Sequence, residues 1–279
     1  PYGDVWHKIS ALAYKVHPYR WPTIGLELSH IERITMEDFK QFFFHYYRPN
    51  NASLVVAGNV KPDEVFKLTE KWFGAIPKGE KEVVRSLPKE PNQTEERVLE
   101  HHADVPVHAI YKAYQMYDRN HTNYQAADLL RDLLSTGDSS RLYRALIKEK
   151  KIFSSVASYL SETIDEGLFF VEGKLNPGVS MEEGDKAIKE VLNEMVQDKI
   201  DETELTKVKN KVESFIAFGD TNVLNRAMNL AYHEMLGDPD GVNTEIEKYQ
   251  SVTATQLQDV AAELLNDNRC STLKYFGKN

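Results

Sequence analysis

One structural unit occurs twice in this sequence, and the second copy follows the first at an offset of 218 residues. The first copy is ITMEDFKQFFFHYYRPNNASLVVAGNV, residues 34–60, and the second is VTATQLQDVAAELLNDNRCSTLKYFG, residues 252–277. Thr253 aligns with Thr35 without a gap. A unit that recurs at so long a period predicts a chain built from two homologous halves.

Each copy has the pattern of a capped helix followed by a strand. Thr35 is the predicted N-cap, and Asp38 stands where a capping box places its second residue. Aromatic residues then follow at the i, i+3, i+4, i+7 spacing of a helix packed on a core, namely Phe39, Phe42, Phe43 and Tyr46. Pro49 ends this helix, and the β-rich run at 52–57 predicts a strand.

Composition narrows the class of protein. The chain is 41% hydrophobic and 28% charged, which is the composition of a soluble globular protein. Its net charge of −9 disfavours a nucleic-acid or anionic membrane partner. With one cysteine, Cys270, an internal disulfide is excluded, and we expect a buried thiol in a strand.

A linker divides the chain. Prolines at positions 77, 88 and 91 stand in sequence of mixed charge. We predict a first domain at residues 1–75, a linker at 76–95 and a second domain at 96–279. In the second domain strands come first, helices follow and a terminal strand returns. This order favours an α+β domain with helices on one face of a mainly antiparallel sheet.

Two groups of residues are candidates for a functional site, and each group also has a purely structural explanation. His102, Asp104 and His108 would share one face of an extended segment and could ligate a metal, but Val105-Pro106 predicts a turn between them. In HPYRWPTIG, residues 17–25, arginine and aromatic side chains form either a binding surface or a loop held to the domain by its rings. The HExxH, GxGxxG, P-loop and GxSxG patterns are absent, so spacing alone identifies no catalytic site.

A series of motifs, taken in order, resembles the M16-type (pitrilysin/insulinase-like) zinc metallopeptidases. PYGDVWHKISALAY, HPYRWPTIG, the first repeat copy and KWFGAIP are similar to the later part of that family's N-terminal domain. LLSTGDSSRLYRALIKEKKIFSSVASY is similar to the start of its second, non-zinc domain. The resemblance implies an α+β fold of duplicated M16-type (LuxS/MPP-like) halves, each a mainly antiparallel sheet with helices on one face, with the first half truncated here.

The family's zinc site is an inverted HxxEH with a further glutamate downstream. Two histidines and a carboxylate hold Zn²⁺, and the remaining glutamate is the general base. No HxxEH occurs in this sequence. The repeat places about 120 residues of the first copy upstream of Pro1, where the resemblance puts the zinc motif. We therefore expect zinc in the full-length parent and none in this fragment, and we assign no catalytic or metal-binding residue to it.

Two positions are assigned to substrate binding through the resemblance. Active family members, or their partner subunits, often carry an Arg and a Tyr seven residues apart in the second domain, in a motif resembling LREKxGLAYSV, and this pair holds the substrate backbone and the transition-state oxyanion. The matching stretch here is LIKEKKIFSSV, residues 146–156. Ile147 replaces the Arg and Ser154 replaces the Tyr, so neither side chain supplies the same charge or phenol.

The resemblance implies the C-terminal portion of a zinc metalloendopeptidase that cleaves peptides in an enclosed chamber, paired with a homologous M16 subunit as a hetero- or homodimer. The alternative is a non-catalytic structural or substrate-holding subunit of such a complex. An unrelated α+β binding module is a third interpretation. Pro1 falls inside a predicted helical segment, so we expect a fragment whose targeting signals and compartment cannot be judged.

Overall fold

The computed structural model describes residues 1–80 and 83–278, so residues 81 and 82 of the predicted linker lie outside the described residues. The helices and strands are, in chain order, α1 (Val5–Ala13), α2 (Leu28–Glu32), α3 (Met36–Tyr46), α4 (Pro62–Phe73), β1 (Arg97–His102), β2 (Ala109–Gln115), α5 (Tyr124–Ser135), a π-helix (Tyr143–Glu149), β3 (Phe153–Leu160), β4 (Leu168–Leu175), α6 (Met181–Gln197), α7 (Glu202–Gly219), α8 (Val223–Met235), α9 (Gly241–Ser251), α10 (Ala254–Leu264) and β5 (Cys270–Phe276). None of the described helices is both long enough and apolar enough to span a bilayer.

The chain folds into two units. The sheet unit contains Pro1–Thr23, Pro88–Val212 and Glu247–Asn279, and the helical unit contains Ile24–Leu87 and Glu213–Ile246. Residues 1–23, which precede the linker, therefore belong to the same packing unit as the sheet formed by residues that follow it. The domain boundaries predicted at residues 75 and 96 separate the two repeated halves of the sequence. The two packing units do not test these boundaries, so they stay a prediction.

A five-stranded sheet organises the sheet unit. Its strand order is β1-β5-β2-β4-β3, with β1 parallel to β5 and every other neighbouring pair antiparallel. Strands β3 and β4 form an antiparallel pair, and Cys270 is fully buried at the start of β5 as expected. The mainly antiparallel α+β architecture predicted from the sequence is what the structure shows.

Helices α5 and α6 pack on one face of this sheet, and α10 packs on both helices. Their face carries the buried side chains of Ile110 and Leu175. Gly184 lies where α6 comes closest to the strands, because a Cβ at this position would be 2.4 Å from a methyl carbon of Leu175. A larger residue at this position would therefore require the Leu175 side chain to move, and glycine lets the helix approach the sheet at this distance without that movement.

Helix α1 covers part of the opposite face. Its buried residues Val5, Ile9 and Ala13 belong to one apolar cluster with side chains of the central strands, which include Tyr111, Leu168, Phe170, Leu273 and Tyr275. The sheet therefore has a helix on its second face, and this helix comes from the N-terminal end of the chain.

The repeat is visible in the element boundaries. Helices α3 and α10 have 11 residues each and begin 218 positions apart, and the 3₁₀ turn at Pro49–Asn51 matches the one at Asp267–Arg269 at the same offset. Both helices are capped alike, because the Thr35 hydroxyl accepts from the Asp38 N–H and the Thr253 hydroxyl accepts from the Gln256 N–H.

Two expectations for the first copy are wrong in the described structure. Residues 52–57 form no hydrogen-bonded strand, and the aromatic stripe of α3 is exposed rather than packed, with Phe39 59% exposed. The equivalent side chain in α10, Leu257, is fully buried. A strand needs a neighbouring strand to pair with, and the described part of the helical unit contains none. An amphipathic helix needs an apolar surface to cover, as α10 has on α5 and α6.

Candidate functional site

The segment assigned to substrate binding begins in a π-helix, Tyr143–Glu149. Its wide turns close through hydrogen bonds such as the one from the Lys150 N–H to the Ala145 carbonyl oxygen, at 2.9 Å. Ile147 lies in this helix and is half-buried. Single π-helical turns are uncommon and recur at functional positions, so the local backbone is consistent with a specialised segment.

The backbone then turns through Lys151, which has a positive φ of 55°. This conformation favours glycine, and Lys151 occupies the position of the glycine in the motif LREKxGLAYSV. Two hydrogen bonds hold the turn, since the Asn176 side-chain amide donates to the Lys151 carbonyl oxygen at 2.8 Å and the Ile152 N–H donates to the Leu146 carbonyl oxygen at 3.1 Å. A backbone that meets the glycine requirement at this residue supports the register of the alignment.

Ser154 follows as the extra residue of a β-bulge at the start of β3. Phe153 pairs with Leu175 and Ser155 pairs with Lys174, which leaves Ser154 between two registers. Its hydroxyl donates to the Lys174 carbonyl oxygen at 3.1 Å, and the residue is exposed. Bulges often redirect a side chain beside a site, and here the redirected side chain is a short hydroxyl.

The basic side chains next to Ile147 are engaged in surface ion pairs. Lys148 lies 3.9 Å from Asp138 and over the Tyr143 ring, and Lys150 pairs with Glu190. The segment therefore presents an aliphatic side chain and a hydroxyl at the two assigned positions. Neither side chain can stabilise an oxyanion as a guanidinium or a phenol does.

The possible metal ligands have other contacts. The His102 ring stacks on Phe276, His108 Nδ1 accepts from the Gly277 N–H at 2.9 Å, and Asp104 pairs with Lys278 at 2.8 Å. Among residues 1–80 and 83–278, no group of three His, Cys, Asp or Glu side chains could hold a metal ion. The residues present do not fit a catalytic zinc.

The HPYRWPTIG loop is anchored at its first residues. His17 is buried, its Nδ1 accepts from the Tyr19 N–H, and its Nε2 lies 3.2 Å from the Asp165 carboxylate. The backbone N–H groups of residues 15–17 all donate to the buried carboxylate of Glu90. Of the two interpretations left open, a loop held to the domain describes this part of the structure. Glu90 was missed because nothing in the linker sequence distinguishes it from the exposed charges around it.

Comparison with known proteins places this fold and segment in a family. The family model described as "Peptidase M16 inactive domain" matches residues 33–212. The chain belongs to the peptidase M16 family.

Its similarity extends over nearly its whole length. "Zinc protease PqqE" of Helicobacter pylori is 29% identical over 276 residues, which are 98% of this chain and 62% of that protein. The crystal structure of a protease from Helicobacter pylori, 27% identical, superposes with a TM-score of 0.91 over 99% of this chain and 67% of that one. The peptidase M16 inactive domain from Pseudomonas fluorescens, 17% identical, shares the fold with a TM-score of 0.85 over 98% of this chain and 64% of that one. The chain thus spans less than two thirds of the length of the curated relative PqqE.

Proposed function

We propose that this chain is the non-zinc portion of a zinc metalloendopeptidase that cleaves peptides in an enclosed chamber. Two findings support the proposal: the matched family model describes an inactive domain, and PqqE, which is longer than this chain, is named a zinc protease. The zinc ligands would belong to residues outside this chain, because HxxEH does not occur in it. Its own residues would hold the substrate and enclose it.

The observation that carries the proposal is the segment at 146–156. Its backbone is left-handed at Lys151, which aligns with the glycine of the LREKxGLAYSV motif, and it has a bulge at Ser154, which aligns with the tyrosine. The two functional side chains of that motif are replaced by Ile147 and Ser154. Losing one oxyanion donor typically costs about 10²–10³ in rate. A complete protein with this segment would therefore need a homologous subunit that supplies the Arg and Tyr.

The same replacement favours a second candidate function. A subunit that only encloses or holds substrate needs neither the pair nor the zinc, and Ile147 and Ser154 are compatible with that role. The two functions differ in the residues that precede this chain in the complete protein. An HxxEH there supports the peptidase, and its absence supports the non-catalytic subunit.

The experiment is to purify the complete protein and assay hydrolysis of unstructured peptides, first alone and then with the homologous subunit. The proposal expects low activity from the isolated protein, strong activation in the mixture, and loss of that activation when the Arg or Tyr of the added subunit is replaced. Full activity of the isolated protein that the second subunit leaves unchanged would contradict the split site. A mixture that stays inactive, together with an absent HxxEH, would assign the chain to the non-catalytic class.

A further inference from the structure

We infer that a cavity at the C-terminal end of strand β2 binds a free α-amino acid with an apolar side chain. The cavity belongs to the sheet unit and has a volume of about 280 Å³, and its wall forms where β2 and α10 end and where β4 and β5 begin. This volume is just below the range of about 300–1,000 Å³ for pockets that hold drug-sized molecules, so it suits a smaller ligand. The inference goes beyond the proposed function, because it assigns a ligand to a part of the sheet that the substrate-binding segment does not reach.

The cavity and the segment at 146–156 lie at opposite ends of the sheet. Ser155 and Ala109 both pair with Lys174, so β3 and β2 begin and end on the same sides, with residue 155 beside the start of β2. The cavity wall contains Gln115, the last residue of β2. The seven residues of β2 span about 20 Å, which is too far for one small ligand to contact both ends. The cavity is therefore separate from that segment.

One part of the wall presents N–H donors. His121 Nδ1 accepts from the Asn123 N–H at 3.1 Å, so the proton of the neutral ring is on Nε2, which is a donor. Arg269 donates through Nη1 to Glu263 at 3.0 Å, and its Nε and Nη2 have no hydrogen-bond partner among the described residues. The guanidinium can therefore still donate to a ligand oxygen. Two such donors suit a carboxylate, which makes stronger hydrogen bonds than a neutral acceptor.

Glu263 holds these donors in place. It accepts from the Tyr117 hydroxyl at 2.5 Å and from Arg269 at 3.0 Å. The Tyr117 ring in turn stacks on the His121 ring, with the ring centroids 4.2 Å apart and the planes 3° from parallel. Because both donors are fixed before a ligand arrives, binding orders few side chains and costs little conformational entropy.

The wall also has an excess of carboxylates. Four carboxylates face two cations, and these six residues are Glu90, Asp118, Glu166, Glu263, Lys89 and Arg269. Lys89 pairs with Glu166 at 2.8 Å, but its side chain is 79% exposed and the pair is screened by solvent. Asp118 Oδ1 accepts from the Asn120 N–H at 2.9 Å, and no ion pair in the described part of the chain includes Asp118. An ammonium group on the ligand would supply the opposite charge.

An α-amino acid matches all parts of this wall. Met116 and Tyr14, which are both buried, contribute apolar surface for its side chain. A diamine would leave the donors of His121 and Arg269 unused, and a simple carboxylate would leave Asp118 without a cation. Leucine carries a carboxylate, an ammonium group and an apolar side chain in one small molecule, and it is the probe we choose.

The first test is calorimetric titration of the complete protein with L-leucine, N-acetyl-L-leucine and L-leucinamide. The acetyl compound lacks the ammonium group and the amide lacks the carboxylate. We expect L-leucine to bind with a dissociation constant below about 1 mM, and each blocked compound to bind at least about tenfold more weakly. No binding of L-leucine at about 10 mM, or equal binding of all three compounds, would overturn the inference.

Variants locate the bound leucine. Asp118→Asn removes the charge and keeps the acceptor for the Asn120 N–H, and Arg269→Lys keeps the charge beside Glu263 and removes the guanidinium. We expect each variant to weaken leucine binding about five- to tenfold. Asp104→Asn, an exposed carboxylate in the loop before β2, is the matched control and should leave binding within twofold. Leucine binding that both cavity variants leave unchanged, or that a chelator abolishes, would place the ligand elsewhere and overturn the inference.

A second measurement needs no variant. Amide hydrogen exchange of the wild type should become slower at residues 117–123 when L-leucine is saturating, with no change at residues 103–108, which precede β2 at its other end. Unchanged exchange at residues 117–123 would overturn the inference even if a cavity variant fails to fold. A single amino acid has no peptide bond to cleave, so a failure here with normal peptidase activity leaves the proposed function standing.

Discussion

The Tyr275 hydroxyl donates a 2.7 Å hydrogen bond to the Asp4 carboxylate, although 271 positions separate the two residues. Asp4 precedes α1 and Tyr275 lies in β5, so the bond joins the N-terminal helix to the last strand of the sheet. His101 and Lys8 also lie near this carboxylate, at 3.3 and 3.4 Å. The beginning and end of the chain are thus parts of one packed structure.

Removing this hydrogen bond should loosen α1 from the sheet. Tyr275→Phe keeps the ring and deletes the donor. Hydrogen bonds to charged groups contribute about 1.5–3 kcal/mol, and partial exposure of Asp4 reduces that, so we expect a loss of about 1 kcal/mol in unfolding free energy. Chemical denaturation measures it, and Tyr47→Phe at an exposed position serves as the control. Equal destabilisation by both variants would contradict a specific role for this bond.

The same pair predicts a pH dependence. Burial opposes ionisation of Asp4, but the hydrogen bond from Tyr275 and the nearby Lys8 outweigh it, and the pKa of Asp4 falls below its ordinary value of 3.8. Its contribution to stability is therefore present above the unfolded pKa and is lost as the pH falls through the folded pKa. Burial and Asp4 raise the pKa of Tyr275 from 10.0 to about 12, so its contribution is complete below pH 10 and is lost as the pH rises to about 12.

The measurement compares the wild type with Tyr275→Phe across pH. The difference in unfolding free energy should be constant from pH 5 to pH 9, and it should shrink below about pH 3.8 and above about pH 10. A difference that stays the same at pH 3 and pH 7 would show that Asp4 is not the acceptor that matters.

Lys112 is a fully buried cation on β2, and its ammonium group lies 2.6 Å from Asp185 and 3.2 Å from the Thr272 hydroxyl. Lys112→Met should destabilise the protein by about 2–3 kcal/mol, because it leaves Asp185 largely desolvated without its closest partner. Adding Asp185→Leu should restore part of that loss. Lys186→Met on the exposed side of α6 is the control. A double variant as unstable as the sum of both single variants would argue against the pairing.

Gly184 tests how closely α6 approaches the sheet. Gly184→Ala puts a methyl group against Leu175 and should cost about 1–3 kcal/mol by overpacking, despite the higher helix propensity of alanine. Gly219→Ala, near the end of α7, meets no atom closer than 4.0 Å and should be neutral or stabilising. Thermal unfolding distinguishes the two, and a stabilised Gly184→Ala would mean that α6 is farther from the strands.

The sequence predicted the elements whose determinants are local. Helix α3 begins after the predicted Thr35 cap and ends before Pro49, and Cys270 is a buried residue of a strand as its sequence predicts. Packing over long distances could not be read in this way. Nothing in the periodicity of α1 shows that it covers a sheet formed by later residues, and the burial of Glu90 depends on a loop 73–75 positions away.

The candidate site likewise combines features that the sequence predicts with features that only the structure shows. The pair of positions at 147 and 154 came from a motif, and the structure adds the π-helix, which no sequence pattern indicates, and the left-handed conformation of Lys151, where only the glycine of the aligned motif suggests it. A lysine in the sequence does not predict a positive φ, because the hydrogen bonds around the turn impose this conformation.

We propose that Ile147 and Ser154 leave this chain without the substrate-holding pair of its family. The most direct measurement is kcat/KM of the complete protein, alone, as wild type and as the double variant Ile147→Arg/Ser154→Tyr, with Lys148→Arg/Ser155→Tyr as a matched control. We expect the double variant to gain about 10²-fold or more over the wild type, the control to gain nothing, and the homologous subunit then to add little. A wild type that is fully active alone and gains nothing from the double variant would contradict it.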